Sequence, residues 1–400
     1  MRWNKKIFAR NMAILAAIIL VIFFGARGII NNFRDLELKG NKDTVVEMGT
    51  EFKDEGCNIS SADVKGTVDT ETPGDYVLTY TYKDQSVKRT VHVVDPASVV
   101  VGLKGSSKAI VKQGEKYVES GAYGIDKTTG KAVECKISGD VDTSKPGTYK
   151  VKYSFKSGSI EKKLTRKVEV VDKKDFKANK EGVPVLMYHY VYTENDMAEN
   201  LNGNYILQSD LENQLKYLTE EGYYFPSFSE LRAYVDGKLS LPEKSVILTF
   251  DDGQYGFLSH GIPSLEKYKV PAISFLIGTK EGESKMKDYA SPYVCFESHS
   301  YDMHKPGGNI GHGGVISAMN KEGIKEDLTK MASILGTNDA FAYPYGDMTE
   351  DAKAAVKDAG IKVAFSTEYG KVHEGADFRA LPRVRVQGYN SLDAYIATIE

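Results

Sequence analysis

Hydrophobic and polar residues alternate along two segments of the chain, Tyr76–Tyr82 and Tyr149–Phe155. Each segment follows closely on a Pro-Gly pair, at Pro73 and Pro146 respectively. Alternation with a period of two residues, bounded by turn residues, is typical of a β-strand that buries one face. We therefore predict antiparallel strands in both segments.

The two alternating segments belong to a sequence repeat. Leu38–Gly40 recurs as Leu103–Gly105, and both copies close on Val-Val-Asp, at Val93–Asp95 and Val170–Asp172. Each copy is long enough for a small β-sandwich. The pattern resembles the bacterial surface immunoglobulin-like repeat. It predicts two small all-β domains, residues 36–97 and 98–173.

An apolar, uncharged run covers Met12–Ala26 and follows Arg and Lys residues near the amino terminus. Cations before an apolar run hold that end in the cytoplasm and direct the following chain outward. The run is shorter than the roughly 20 residues of a spanning helix, so a cleaved signal peptide and secretion are the alternative. We predict a single-pass membrane anchor within residues 1–30, with the rest of the chain on the extracellular face.

Two roles for the repeats are open at this point. A stiff spacer would hold the following domain away from the membrane. A glycan-binding module would stack sugar rings on tyrosines that face solvent. Alternating tyrosines in a strand more often pack against the neighbouring strands, which favours the spacer.

Beyond a polar linker, residues 174–183, the pattern changes. Short apolar runs such as Val246–Leu248 alternate with helical stretches, and Ser-x-x-Glu capping boxes at Ser209 and Ser227 predict the starts of two helices. Buried strands that alternate with helices indicate an α/β domain with a parallel sheet, open or closed into a barrel. We predict that this domain covers residues 184–400.

Composition narrows the class of protein. The chain has 400 residues, with 41% hydrophobic and 27% charged, which is an ordinary globular mixture. A formal net charge of −3 provides no basic surface for nucleic acid. The three cysteines, Cys57, Cys135 and Cys295, are far apart and predict neither a disulfide framework nor a cysteine zinc site. We expect a monomer.

Candidate chemistry lies in the α/β domain. Asp251 and Asp252 follow a β-rich run, at the strand end where α/β barrels keep their active sites. His299 and His304 together with one carboxylate form a known catalytic zinc set with an open position. The histidines would lie about 140° apart on a regular helix, so one metal requires a loop between them. A polar turn and an incidental histidine pair are the alternatives.

Four segments together resemble the NodB-homology polysaccharide deacetylases of carbohydrate esterase family 4. They are Pro184–His189, Thr249–Gly253, His299–His304 and Phe341–Gly346. The first of them is similar to the opening strand of the branch that includes poly-N-acetylglucosamine deacetylases. The resemblance covers residues 182–400 and implies a distorted (β/α) barrel.

The resemblance implies a role for each motif residue. Asp251 would be the general base, and Asp252, His299 and His304 would hold a divalent metal. The backbone N–H of Tyr345 would stabilise the oxyanion. Zn²⁺ is the expected metal, with Co²⁺ or Ni²⁺ as alternatives, because such a ligand set accepts several ions.

The chain departs from the family's commonest form in three motifs, one of which, Asp-x-x-x-Trp, is absent. No late Leu-x-His motif is present, and in the poly-N-acetylglucosamine branch the histidine of the opening strand, here His189, takes the general acid's place. A packed strand-end histidine is the alternative. The arginine of the third motif is Ala342 here, and Arg383 would supply the missing cation near Asp251, unless it is an exposed strand-edge charge. We interpret His260 and His312 as surface or loop histidines.

The resemblance implies hydrolysis of acetamides on N-acetylglucosamine units of a wall or extracellular polysaccharide, such as peptidoglycan or poly-N-acetylglucosamine, with release of acetate. The expected partners are that polysaccharide and, through the anchor, the membrane. Two alternatives are a non-catalytic glycan-binding surface protein with the deacetylase fold and an esterase for O-acetyl groups. Fold analogy alone does not choose the substrate.

Overall fold

A computed structural model describes residues 35–400 of the chain. The predicted anchor, residues 1–30, lies outside the described residues. Among the helices within residues 35–400, none has the length and apolar character needed to cross a membrane. The chain divides into two compact units, one ending at Pro96 and the other spanning Ala97–Glu400.

Within residues 35–96, the described part of the first unit, the strands form one sheet. Its strands are β1 (Asp43–Glu47), β2 (Asp63–Lys65), β3 (Gly74–Tyr82) and β4 (Gln85–Val94). Their order is β1-β4-β3-β2, with β1 parallel to β4 and the other pairs antiparallel. Instead of the second sheet of the predicted sandwich, a loop segment packs Leu36 and Cys57 against this sheet. The second repeat has the β-branched run Val99–Val101 in the corresponding region, which favours a regular strand there.

The second unit opens with the second repeat, which forms two sheets as predicted. Its strands are β5 (Val99–Leu103), β6 (Lys108–Lys112), β7 (Ala122–Asp126), β8 (Lys131–Ala132), β9 (Cys135–Ser138), β10 (Gly147–Ser157) and β11 (Ile160–Val171). The sheet orders are β6-β11-β10-β9 and β5-β7-β8. The core is built from the inward residues of alternating strands, such as Val151, Tyr153 and Phe155 on β10.

Each repeat buries one arginine, Arg89 in the first and Arg166 in the second. Arg166 donates to the carbonyl oxygens of Lys104 and Gly121 at 2.8 and 2.9 Å, so it ties a turn to the sheet. Tyr80 and Tyr153, beside these arginines, have no solvent exposure. These two tyrosines therefore pack the sheets and offer no face to a sugar.

The α/β domain is a closed barrel of seven parallel strands, one of the two forms predicted. The strands of this domain are β12 (Val185–Tyr188), β13 (Tyr190–Tyr192), β14 (Tyr205–Leu207), β15 (Ile247–Phe250), β16 (Ala272–Leu276), β17 (Val294–Ser298), β18 (Ala340–Ala342), β19 (Val363–Tyr369) and β20 (Leu381–Arg385). The barrel order is β12-β15-β16-β17-β18-β19-β20, and β13 pairs separately with β14. Since all barrel strands are parallel, their carboxyl ends share one mouth, where ligands bind in such folds.

Helices surround the barrel strands. Their bounds are α1 (Gln208–Glu220), α2 (Phe228–Val235), α3 (Ile262–Tyr268), α4 (Gly282–Asp288), α5 (Lys321–Leu335), α6 (Glu350–Asp358) and α7 (Leu392–Ile399). The capping box at Ser227 is confirmed, because its side chain accepts from the N–H of Glu230. The capping box predicted at Ser209 is wrong, because Leu207 is the N-cap of α1 and β14 leads directly into the helix.

The second repeat also closes the amino-terminal mouth of the barrel. The turn after β5 places Lys104 Nζ 2.6 Å from Oδ2 of Asp339, the residue before β18. Ser106 N–H donates to the carbonyl of Phe225 at 2.8 Å, and Tyr123 OH to that of Ser291 at 2.9 Å. This repeat is therefore part of the barrel's packing, a role that the spacer interpretation did not include.

Candidate active site

Three side chains that can bind a metal converge at the carboxyl-terminal mouth of the barrel. Asp252 Oδ1 lies 3.3 Å from His299 Nε2 and 3.1 Å from His304 Nε2. Asp252 follows β15 and His299 follows β17, and the chain between the histidines is irregular. The three ligand atoms lie within 4.8 Å of one another. The structure thus brings together the three residues proposed as metal ligands, through a loop as their spacing required.

The chemistry of this donor set fits a divalent cation. His299 Nδ1 lies 2.8 Å from the carbonyl oxygen of Ala342, which can only accept, so Nδ1 carries the proton. The Nε2 lone pair of His299 therefore faces the carboxylate of Asp252. Two acceptors at this distance repel unless a cation or a proton lies between them. Two imidazoles and one carboxylate are ligands that zinc and related ions accept.

The pKa values of these groups show the same electrostatics. Burial alone would raise the pKa of Asp252, but the imidazoles of His299 and His304, at 3.3 and 3.1 Å, hold that pKa well below its usual range. Burial alone would lower the pKa of His299, whereas Asp252 and Asp251 raise it overall. The cluster therefore favours one carboxylate anion with positive charge beside it.

Asp251 is buried and bound by one arginine. Arg383 Nη1 and Nη2 each donate at 2.7 Å to a different carboxylate oxygen of Asp251. Burial alone would raise the pKa of Asp251, and the Arg383 guanidinium lowers it below the usual range. Arg383 has no solvent exposure, so its interpretation as an exposed strand-edge charge is wrong. Arg383 is therefore the cationic side chain that was predicted near Asp251.

His189 follows β12, is half-buried, and faces the same cavity. Burial lowers its pKa, while the carboxylates of Asp251 and Asp252 oppose that shift. The cavity has a volume of about 400 Å³. Its lining residues are His189, Tyr190, Asn204, Asp251, Asp252, His299, His304, His312, Tyr343, Tyr345, Thr367 and Arg385. All six residues proposed as catalytic or metal-binding face this one cavity.

Backbone conformation marks the site as well. Asp252, Ser300 and Tyr345 have positive φ angles of 69°, 79° and 61°, three of the six such non-glycine residues within residues 35–400. Such conformations are uncommon outside glycine and concentrate at functional sites. Tyr345 also stacks on His304 with ring centroids 4.8 Å apart. The tight turn at Pro344–Gly346 thus brings the Tyr345 ring onto one of the proposed metal ligands, His304.

Several residues of the cavity were not predicted from the sequence to belong to the site. His312, interpreted as a surface or loop histidine, lies on an exposed loop whose backbone N–H groups, at His312 and Gly314, donate to Asp347. It nevertheless lines the cavity. Arg385 also lines the cavity. Its position two residues after Arg383 on one strand could have predicted this, since alternate residues of a strand face the same side. Asn204 had no such signal.

Segments of the chain match known protein families and a characterised relative. Residues 238–364 match the polysaccharide deacetylase family, and residues 36–93 and 101–170 match the bacterial surface protein Ig-like domain. The poly-β-1,6-N-acetyl-D-glucosamine N-deacetylase of Staphylococcus aureus is 27% identical over 239 residues, which cover 53% of this chain and 81% of that protein.

Solved structures of deacetylases are also similar to this chain. The Streptococcus pyogenes deacetylase PplD in complex with acetate is 24% identical, with a TM-score of 0.47, covering 55% of this chain and 98% of that one. IcaB from Ammonifex degensii is 26% identical, with a TM-score of 0.44, covering 55% and 96%. The chain thus contains a polysaccharide deacetylase domain, preceded by two bacterial surface immunoglobulin-like domains.

Proposed function

We propose that this chain is a metal-dependent N-deacetylase that hydrolyses acetamides on N-acetylglucosamine units of a polysaccharide. One observation carries the proposal: the cluster of Asp252, His299 and His304 shares a cavity with a buried carboxylate, Asp251, that Arg383 keeps ionised. A metal site beside a positioned base is the arrangement that amide hydrolysis by water requires.

Asp252, His299 and His304 would hold the cation. When bound, a divalent cation supplies Lewis-acid polarisation of the acetamide carbonyl and a lowered pKa for water. Asp251 accepts the proton of the attacking water. Its pKa lies below the usual range, so it is ionised at neutral pH and available for this step.

The tetrahedral intermediate carries a negative oxygen, and we assign its stabilisation to the backbone N–H of Tyr345, in the turn Pro344–Gly346. Collapse of the intermediate breaks the C–N bond, and the leaving nitrogen needs a proton to depart as an amine. We assign delivery of that proton to His189, which faces the same cavity. The products are acetate and a glucosamine unit.

Two polymers are candidates for the substrate. The named substrate of the S. aureus relative supports a β-1,6-linked N-acetylglucosamine polymer. Peptidoglycan offers the same acetamide in a different linkage. We also propose that the enzyme acts outside the cytoplasm, held by the apolar run Met12–Ala26. Protease treatment of intact cells would remove the deacetylase domain if this location is correct and leave it intact if not.

Acetate release tests the proposal. The full chain is treated with chelator, and N-acetylglucosamine oligomers are then supplied with and without Zn²⁺ or Co²⁺. Release that chelator abolishes and metal restores supports a metal-dependent deacetylase. Release from an O-acetylated xylan oligomer alone would indicate the esterase, and no release from any acetylated polymer would indicate a non-catalytic binding protein.

A further inference from the structure

The active-site cavity contains a second arginine that the proposed reaction does not use. Arg385 ends β20, two residues after Arg383, and the alternation of a strand turns both side chains toward the same side. Arg383 lies deeper and binds Asp251, whereas Arg385 is half-buried and lines the cavity. A cation thus faces the space that the substrate would occupy.

In the described part of the chain, a neutral side chain orients Arg385 and no counter-ion pairs with it. Its Nη1 donates to Oδ1 of Asn204 at 2.6 Å, a neutral amide that fixes the guanidinium without neutralising it. No carboxylate among residues 35–400 lies within 4.0 Å of its nitrogens. Asp251 has both oxygens on Arg383, and Asp252 lies between two histidines.

Five N–H groups of a guanidinium form a planar fork that matches a carboxylate or a phosphate. One of these groups binds Asn204, and no carboxylate within residues 35–400 pairs with the charge. A partly buried cation is stabilised when a charged ligand pairs with it, and such charge-assisted hydrogen bonds are stronger than neutral ones. An anionic group on the bound glycan would complete this arrangement.

We propose that Arg385, positioned by Asn204, forms a subsite for an oxyanion that the polysaccharide carries beside the sugar undergoing deacetylation. The group is a carboxylate or a phosphate on that sugar or its neighbour. The inference rests on the proposed function and narrows its substrate to an anionic N-acetylated glycan. A neutral N-acetylglucosamine homopolymer would leave the subsite empty.

The experiment compares oligosaccharides of equal length that differ in one group. The first carries an O-lactyl carboxylate on every second sugar, the second carries the methyl ester of that carboxylate, and the third carries a phosphate there. For the wild-type chain we expect kcat/KM for one of the two anions to exceed that for the ester by roughly 10- to 100-fold. Which anion is preferred identifies the source of the oxyanion.

Substitutions then assign the preference to the residue. In Arg385→Gln, the ratio of anion to ester should collapse toward one, and Asn204→Ala should reduce it in part. Arg379→Gln is the matched control, because Arg379 pairs with Asp377 and does not line the cavity. A wild-type ratio near one, or a ratio that Arg385→Gln leaves intact, overturns the proposal. An equal fall in kcat/KM for the anion and the ester in Arg385→Gln would also overturn it, because the arginine would then act on neutral groups or on His189.

A binding measurement separates this proposal from the proposed function. The three oligosaccharides are titrated into metal-free protein, in which no turnover is expected, and affinities are measured by calorimetry. Tighter binding of an anion that Arg385→Gln abolishes supports the subsite even if no acetate is ever released. Acetate release with equal affinity for anion and ester supports the deacetylase and rejects the subsite.

Discussion

Arg383 holds both carboxylate oxygens of Asp251, with Nη1 on Oδ1 and Nη2 on Oδ2, each at 2.7 Å. The two residues lie 132 positions apart and reach each other from β20 and β15, the strands on either side of β12. The bidentate contact fixes the plane of the carboxylate and stabilises its ionised form. A buried base is thereby kept both oriented and charged.

Replacing Arg383 should move the acid limb of the pH–rate profile. Asp251 must be ionised to accept a proton, and the guanidinium lowers its pKa. In Arg383→Gln that pKa rises, so kcat/KM should fall off at a higher pH than in the wild type. Arg379→Gln, a cation removed outside the cavity, should leave the profile unchanged. An acid limb at the wild-type position in Arg383→Gln would contradict the role of Asp251 as the base.

Substitutions should separate metal binding from base catalysis. His304→Ala and Asp252→Asn remove proposed ligands, so metal content and activity should fall together. Asp251→Asn should keep the metal, and its kcat should fall by roughly 10²- to 10⁴-fold, the range typical of general-base catalysis. Metal analysis of the purified variants is the measurement. Loss of metal in Asp251→Asn would place this residue among the ligands instead.

Metal affinity should weaken as pH falls. The pKa of His299 is raised, so a proton competes for its Nε2 at a higher pH than on a free imidazole. Titration of Zn²⁺ into apo-protein at several pH values tests this expectation. An affinity that does not change between neutral and mildly acidic pH would contradict binding through His299.

Two histidines of the cavity can be tested as the general acid. His189→Ala should keep the metal and lose most of kcat, by roughly 10²–10⁴. His312→Ala is the matched control, since His312 lines the same cavity from an exposed loop. If kcat falls in His312→Ala and stays near normal in His189→Ala, the acid is the histidine of the loop.

The ion pair of Lys104 and Asp339 should stabilise the barrel. Lys104→Met removes one partner of a mostly buried pair, and we expect a loss of about 3 kcal/mol in the free energy of unfolding. That value is at the low end for such pairs because Asp339 still forms an ion pair with Lys362 in the variant. Lys39→Met is the control, since Lys39 is the exposed equivalent of Lys104 in the first repeat. Urea unfolding followed by circular dichroism measures both, and equal stability of the two variants would contradict the expectation.

Stability should also depend on pH through Glu297. Burial, together with the nearby Asp339 carboxylate, raises the pKa of Glu297 to about 7. The folded state therefore binds the proton more tightly than the unfolded state, whose pKa is about 4.3, so this contribution to stability is lost as pH rises from about 4.3 to 7. Glu297→Gln should flatten the slope of unfolding free energy in that interval. An unchanged slope would show that Glu297 does not titrate there.

Several features followed from the sequence because they depend on neighbours along the chain. Alternation predicted β3 and β10, a capping box predicted the start of α2, and the Asp-Asp-Gly and histidine motifs located the proposed metal ligands. These signals are local, since strand alternation, helix caps and turns depend on residues a few positions apart. The capping box predicted at Ser209 is wrong because a non-local contact, the pairing of β14 with β13, set the start of the helix there.

Other features depended on contacts between distant segments. Barrel closure joins β12 to β20 and so turns Arg383 from a possible surface charge into the partner of Asp251 and places Arg385 in the cavity. The packing of the second repeat on the barrel likewise leaves Lys104 half-buried beside Asp339, while its counterpart Lys39 is exposed in the same local sequence. Identical local patterns reach different environments because burial and charge pairing are set by whatever the fold brings alongside. The sequence alone therefore predicted the motif residues and the α/β class of the third domain, and the tertiary structure decided which charges meet.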